Sequence, residues 1–179
     1  MKLLHAMILS LALAAGAAVA QDWVKGLAEQ GHAVAQNNLG EMYRKGDGVL
    51  QDYAEAVKWF QLSAGQGISQ AQFNLGVMYS KGWGVLRDNA EAVKWYRLAA
   101  EREHAPAQNN LGVMYENGEG VLQNNIRSHM CYNIASANGL EKASKWRDET
   151  AAKMTSADIS EAQKMARKYM NSNYQDCGW

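Results

Sequence analysis

Apolar and small residues return along this chain at offsets of 0, 4, 7 and 8. They are Ala35, Leu39, Met42 and Tyr43, then Ala71, Leu75, Met78 and Tyr79, then Ala107, Leu111, Met114 and Tyr115. That spacing is one stripe of an α-helix, so each run predicts a helix, termed A. A glycine closes each run (Gly46, Gly82, Gly118), and a second follows two residues on (Gly48, Gly84, Gly120). Glycine just past a helix end can take the left-handed conformation that stops it. A second stripe then begins: Ala56, Val57, Phe60 and Ala64, matched by Ala92, Val93, Tyr96 and Ala100. It predicts a helix B. Asp52 with Glu55, and Asp88 with Glu91, read as capping boxes that open it. Trp59 and Trp95, beside the stripe, read as core aromatics.

The pattern has a period of 36 residues. Copies 35–70 and 71–106 share 21 of 36 residues; copies 71–106 and 107–142 share 15. A period of this length predicts stacked helix pairs, each burying its apolar face against its neighbours. Gly40, Gly76 and Gly112 fall inside helix A, where glycine costs about 1 kcal/mol relative to alanine. Their repetition at one column predicts a compensating gain, the close approach of a neighbouring helix. The third copy departs in helix B: Asn124 keeps the cap, but Arg127 replaces the Glu, and His129 and Cys131 fill the columns of Val93 and Trp95. A half-unit (22–34) precedes the array, because Trp23 aligns with Trp59. After it, 141–154 reads as a further A helix, and Thr155 with Asp158 opens a last helix to about Met170. Repeats thus span 35–70, 71–106 and 107–142 in an array over 21–150, with a capping helix and tail over 151–179. One compact body from about 22 to 172 is the simplest organisation.

The run Ala-x-x-Asn-Leu-Gly-x-Met-Tyr, Gly-x-Gly-Val, Asp-x-x-Glu-Ala-x-x-Trp and Ala-Ala resembles the Sel-1-like repeat, a relative of the tetratricopeptide repeat. The resemblance covers about residues 22–150. It implies an all-α fold, a right-handed α/α superhelix (solenoid) of stacked helix pairs, used for protein–protein interaction with the A helices lining the concave side. With an export signal it looks bacterial, of the secreted or periplasmic kind.

The first twenty residues stand outside this plan. Lys2, the apolar run 3–15 and Ala18-Val19-Ala20 read as a signal peptide cut after Ala20, which places the protein in the periplasm or outside the cell. A membrane anchor is the competing reading, but the apolar stretch is near the lower limit for a span and ends in a cleavage pattern. No stable membrane insertion is expected after cleavage. Loss of the leader leaves 159 of 179 residues, with 17 basic against 18 acidic. That balance gives no footprint for nucleic acid or anionic lipid.

Chemistry has little to stand on. His32 and His104 share a column with Ile68 and Leu140, which reads as packing. No two histidines have zinc-ligand spacing, and there is no Gly-x-Ser-x-Gly, no Gly-Lys of a phosphate loop and no Ser-x-x-Lys. No catalytic residue, metal or cofactor is expected. Cys131 and Cys177 form an even pair in an exported chain, which predicts a disulfide. Such a link constrains the unfolded chain by about 4 kcal/mol; two free or intermolecular thiols are the alternative.

Binding residues are sought where the frame is fixed and the side chain varies. Offsets 2, 6 and 9 of helix A lie opposite its packing stripe. They are Asn37, Glu41 and Arg44; Phe73, Val77 and Ser80; Asn109, Val113 and Glu116. Trp83 takes a loop column otherwise filled by Asp47 and Glu119. The expectation is an apolar patch of Phe73, Val77, Val113 and Trp83 rimmed by charge, a hot spot for a protein or peptide. The packing of Phe73 and Val77 against the adjacent B helix is the alternative. The function expected is a non-enzymatic binding module of the cell envelope. Two alternatives stay open: an envelope hydrolase related to the penicillin-binding cysteine-rich relatives of the family, and a secreted effector that binds host proteins.

Overall fold

The computed structural model describes residues 21–174; the leader, its cleavage site and Cys177 lie outside them. Among the described residues every regular element is a helix. The chain divides into two compact units between Ile68 and Ser69, where one body was expected. In a repeat array contacts are made mainly between sequence neighbours, so no single core has to span the chain.

The first unit holds α1 (21–29), α2 (Ala33–Lys45) and α3 (Tyr53–Gly65). The second holds α4 (Ser69–Lys81), α5 (Asn89–Ala100), α6 (Ala105–Asn117), α7 (Asn125–Ala137), α8 (Ala143–Ala151) and α9 (Ser156–Asn171). Helices α2, α4 and α6 are the A helices; α3, α5 and α7 are the B helices. Each A helix packs on the B helix that follows it, and in the second unit α7 also packs on α8 and α9.

The turn between A and B is the same in all three copies. Gly46 and Gly118 take the left-handed conformation and return their N–H groups to the carbonyls of Met42 and Met114. The chain then closes through one repeated bond to the tyrosine carbonyl: Asp52 N–H to Tyr43 at 2.9 Å, Asp88 to Tyr79 at 3.0 Å and Asn124 to Tyr115 at 2.8 Å. Those closing residues are also the caps of helix B. The Asp52 carboxylate accepts from Ala54 and Glu55 N–H, Asp88 from Glu91 and Asn124 from Arg127. Glu55 and Glu91, read as the return arms of capping boxes, instead form ion pairs with Lys58 and Lys94 one turn on. A lysine three residues ahead offers each carboxylate a charged donor. A complete capping box stands at α9, where Thr155 and Asp158 satisfy each other's backbone N–H.

The three mid-helix glycines are contact points for aromatic rings of helix B. A side chain on Gly40 would meet Phe60 carbons at 2.7 Å, and one on Gly112 would meet Tyr132 at 2.6 Å. Gly76 stands in the same relation to Tyr96. Phe60, Tyr96 and Tyr132 are all buried. The helix-propensity cost of glycine is thus offset by apolar area that no other residue lets the ring bury. Trp59 and Trp95 are half-buried, at the margin of the core rather than inside it.

Buried glutamines tie consecutive pairs together. Gln36 Nε2 donates to the Ala28 carbonyl at 3.2 Å while its Oε1 accepts from Gln66 at 2.7 Å. In the second unit Gln108 donates to Ala100 at 3.1 Å and accepts from Asn138 at 3.0 Å. One side chain therefore satisfies an orphan carbonyl at the end of the preceding helix and is itself satisfied by its own B helix.

Candidate functional site

Within the first unit, Glu41 and Arg44 pair one turn apart on α2, through Nε–Oε1 at 3.1 Å and Nη2–Oε2 at 2.8 Å. Lys45 adds a contact of 3.1 Å. Burial pushes the Glu41 carboxyl up, but the hydrogen bonds from Arg44 and Lys45 outweigh it and hold it below the ordinary carboxylate value. Asn37 is buried, 8% exposed, rather than presented to solvent.

In the second unit the expected residues separate into two groups. Val77 and Ser80 on α4 and Val113 on α6 line a common cleft of about 330 Å3. Its floor carries Tyr96 from α5, whose hydroxyl lies 3.4 Å from Ser80 Oγ. Asn110 and Met114 complete the α6 wall, and Lys81, Arg87 and Glu119 stand at the loop ends. Burial raises the Tyr96 hydroxyl above its ordinary value, which keeps it a neutral donor and acceptor. Val113 is 37% exposed and supplies an open apolar edge. The cleft thus offers apolar contact, a hydroxyl pair and an amide in one concavity, the mixture that positions a peptide.

The remaining expected residues do not join it. Phe73 packs against the core, its ring centroid 4.9 Å from that of His104 and 5.9 Å from that of Tyr96. Asn109 is buried, and Trp83 is half-buried outside the cleft lining. Glu116 accepts from the Tyr132 hydroxyl at 3.0 Å and from Lys153 at 2.7 Å. The expected apolar patch is therefore replaced by a cleft of mixed polarity. An A helix in an array has neighbours on more than one side, so a position opposite the pair interface is not exposed on that account.

Lys81, Arg87, Tyr96, Asn110, Met114 and Glu119 were missed by the offset argument. Asn110 carried a signal, because Asn38, Asn74 and Asn110 repeat at one polar column. Tyr96 reads as core, and it is buried; it lines the cleft as well, with its hydroxyl beside Ser80.

His104 is the N-cap of α6. Its Nδ1 accepts from Ala107 N–H at 3.3 Å, which leaves Nε2 to donate to Gln70 Oε1 at 3.2 Å. Burial holds this imidazole below its ordinary pKa. His129 is buried on α7, and burial again lowers it. Among the described residues, no three His, Cys, Asp or Glu side chains are placed to share a metal ion. Cys131 is buried on α7. No helix among the described residues is long and apolar enough to cross a membrane.

The Sel1 repeat family model matches residues 33–68, 69–104 and 105–140, two residues ahead of the repeat boundaries read from the sequence. Two solved structures are similar. One is a protective antigen present in uropathogenic Escherichia coli strains displaying an SLR fold: TM-score 0.81, 33% identity, covering 88% of this chain and 34% of that one. The other is a Sel1 repeat protein from Oxalobacter formigenes: TM-score 0.67, 36% identity, covering 75% of this chain and 54% of that one. This chain therefore spans about a third and about half of their lengths. No curated protein matches it.

Proposed function

This chain belongs to the Sel1 repeat family, an all-α, solenoid-like fold of repeated helix pairs that is typically a non-catalytic interaction scaffold, and from that premise we propose that it is an exported bacterial binding module whose cleft on α4 and α6 takes a protein or peptide segment. The observation that carries the reading is the cleft itself. Val77 and Val113 offer apolar contact, while Ser80, Tyr96 and Asn110 offer hydrogen bonds at fixed positions. Rigid helices hold all five, so little ordering entropy is spent when a partner docks. Export rests on the leader pattern of residues 1–20 and on the bacterial sources of the similar structures. The protein then acts in the periplasm or outside the cell.

The test is affinity capture from envelope and culture fractions of the source organism. The mature chain is compared with Val113→Asp and with a variant of exposed Leu98, which lies outside the cleft. A partner retained by the Leu98 variant and lost by Val113→Asp supports the reading. A partner retained equally by all three places the contact elsewhere.

A further inference from the structure

The second copy of the repeat keeps a cation and loses its partner. On α2, Glu41 and Lys45 pair one turn apart at 3.1 Å. In the next copy the same two columns hold Val77 and Lys81. The lysine is retained, and an apolar side chain stands where its carboxylate stood. A second exchange adds another charge. Gln51 and Gln123 each donate from Nε2 to a carbonyl near the end of their own A helix, that of Arg44 and that of Glu116, both at 2.8 Å. Their column holds Arg87 in the second copy, so the amide that staples the turn is exchanged for a guanidinium. Among the described residues neither Lys81 nor Arg87 forms an ion pair or a side-chain hydrogen bond. Both are exposed, and both line the α4–α6 cleft. Glu119 is the one carboxylate in that lining, and its Oε1 already accepts from Asn117 at 3.2 Å. The lining therefore carries an excess of one positive charge.

We infer that the α4–α6 cleft selects an acidic segment, in which a Glu or Asp side chain takes toward Lys81 the role that Glu41 has toward Lys45, with Arg87 as its second donor. The apolar residue next to it rests on Val77 and Val113. Ammonium and guanidinium groups give a carboxylate shorter and stronger hydrogen bonds than neutral donors do. Charge complementarity also sets selectivity, because a basic segment entering the same cleft meets two cations. The first and third copies show why the second is the one that is open. Glu41 is occupied by Arg44 and Lys45, and Glu116 by Tyr132 and Lys153, whereas Ser80 in that second column carries no charge. The inference rests on the reading of the cleft as a peptide site and adds the chemistry of the peptide.

The test is selection of phage-displayed random octapeptides on the mature chain at low salt, keeping those that V113D fails to retain. The best of them is then made as a labelled peptide, acetylated and amidated so that only side chains carry charge, together with its Gln-for-Glu or Asn-for-Asp form. Fluorescence anisotropy compares both on wild type, R87Q and V77E. R87Q restores the residue of the other two copies, and an unchanged melting temperature verifies its fold. V77E restores the carboxylate of the first copy and so supplies Lys81 with an internal partner. The selected peptides are expected to be rich in Glu or Asp beside an apolar residue. R87Q is expected to weaken the acidic peptide about three- to fivefold, the range of an exposed charge pair at low salt. V77E weakens it further, and the amide form binds weakly to all three proteins. Because R87Q keeps the repeat's own residue, it decides the outcome if V77E fails to fold. Cleft-dependent peptides without acidic enrichment, or equal affinity of wild type and R87Q for the acidic peptide, overturn the inference and leave the cleft as a peptide site of other specificity. If no peptide is retained by wild type and released by V113D, the peptide reading of the cleft fails, and this inference with it.

Discussion

The ring of Tyr96 stands where a side chain on Gly76 would have to go: a Cβ built there falls 2.5 Å from Tyr96 Cδ1. Phe60 and Gly40 repeat this relationship in the first unit, and Tyr132 and Gly112 in the last copy. Gly76→Ala therefore sets two effects against each other. Helix propensity favours alanine by about 1 kcal/mol. Forcing a methyl group into a packed contact costs about 1–3 kcal/mol or more. The clash is with a ring held in the core, so the packing term wins and the melting temperature falls. Pairing Gly76→Ala with Tyr96→Leu recovers part of the loss. Thermal unfolding of the two single variants and the double variant checks this; additive losses would contradict it.

Phe73 links two rings of the second unit, and its removal opens a gap between Tyr96 and His104. Phe73→Ala is expected to cost about 2–4 kcal/mol, toward the lower part of the range for core aromatics because the residue is only half-buried. Val113→Asp, on an open edge, stays within about 0.5 kcal/mol of wild type. Denaturant unfolding separates the two.

His104 makes the start of α6 sensitive to pH. Burial holds its folded pKa below the unfolded value of 6.5. Between those two values the unfolded chain binds more protons, so stability falls as pH drops. Above the unfolded value the contribution is complete. Protonation also removes the Nδ1 lone pair that accepts from Ala107 N–H. His104→Asn keeps a cap without a titrating group. Melting temperatures between pH 7.5 and about 5 should therefore fall more for wild type than for the variant. His129 titrates in both proteins and cancels in the comparison.

Glu116 serves a buried donor and an exposed one. Tyr132 is buried, and burial together with the bond to Glu116 pushes its hydroxyl well above the ordinary range, so it remains a donor. Glu116→Ala leaves that donor without its acceptor and is expected to cost about 1–3 kcal/mol. Glu116→Gln keeps an acceptor and recovers most of the loss. Lys153→Ala removes only the solvent-exposed half and leaves the melting temperature unchanged.

The frame of this fold was legible because it is written three times. A glycine repeated inside a helix, against its propensity, announces a close contact, and a glycine repeated past a helix end announces a turn. What the sequence could not convey is which face of helix A meets solvent. Asn37, Phe73 and Asn109 share a column opposite the pair interface, yet two are buried and the third is half-buried against rings of its own unit. Gln36 and Gln108 carry no signal of their burial, because a polar residue next to Ala35 or Ala107 has the same pattern as a surface position. Their partners lie eight residues back and thirty ahead, distances that no helical period links. The apolar stripe that opens at Ala35 and Ala107 leaves the first two residues of each helix unmarked, since His32 and His104 are not among the residues that ordinarily cap helices.

The most direct test of the binding reading is site-specific photo-crosslinking in living cells of the source organism. Benzoylphenylalanine is placed at Val113 and Ser80, inside the α4–α6 cleft, and at exposed Leu98 as the outside control. The account predicts one discrete adduct, shared by the two cleft positions and absent from Leu98. An adduct confined to Leu98, or none at either cleft position, would contradict it.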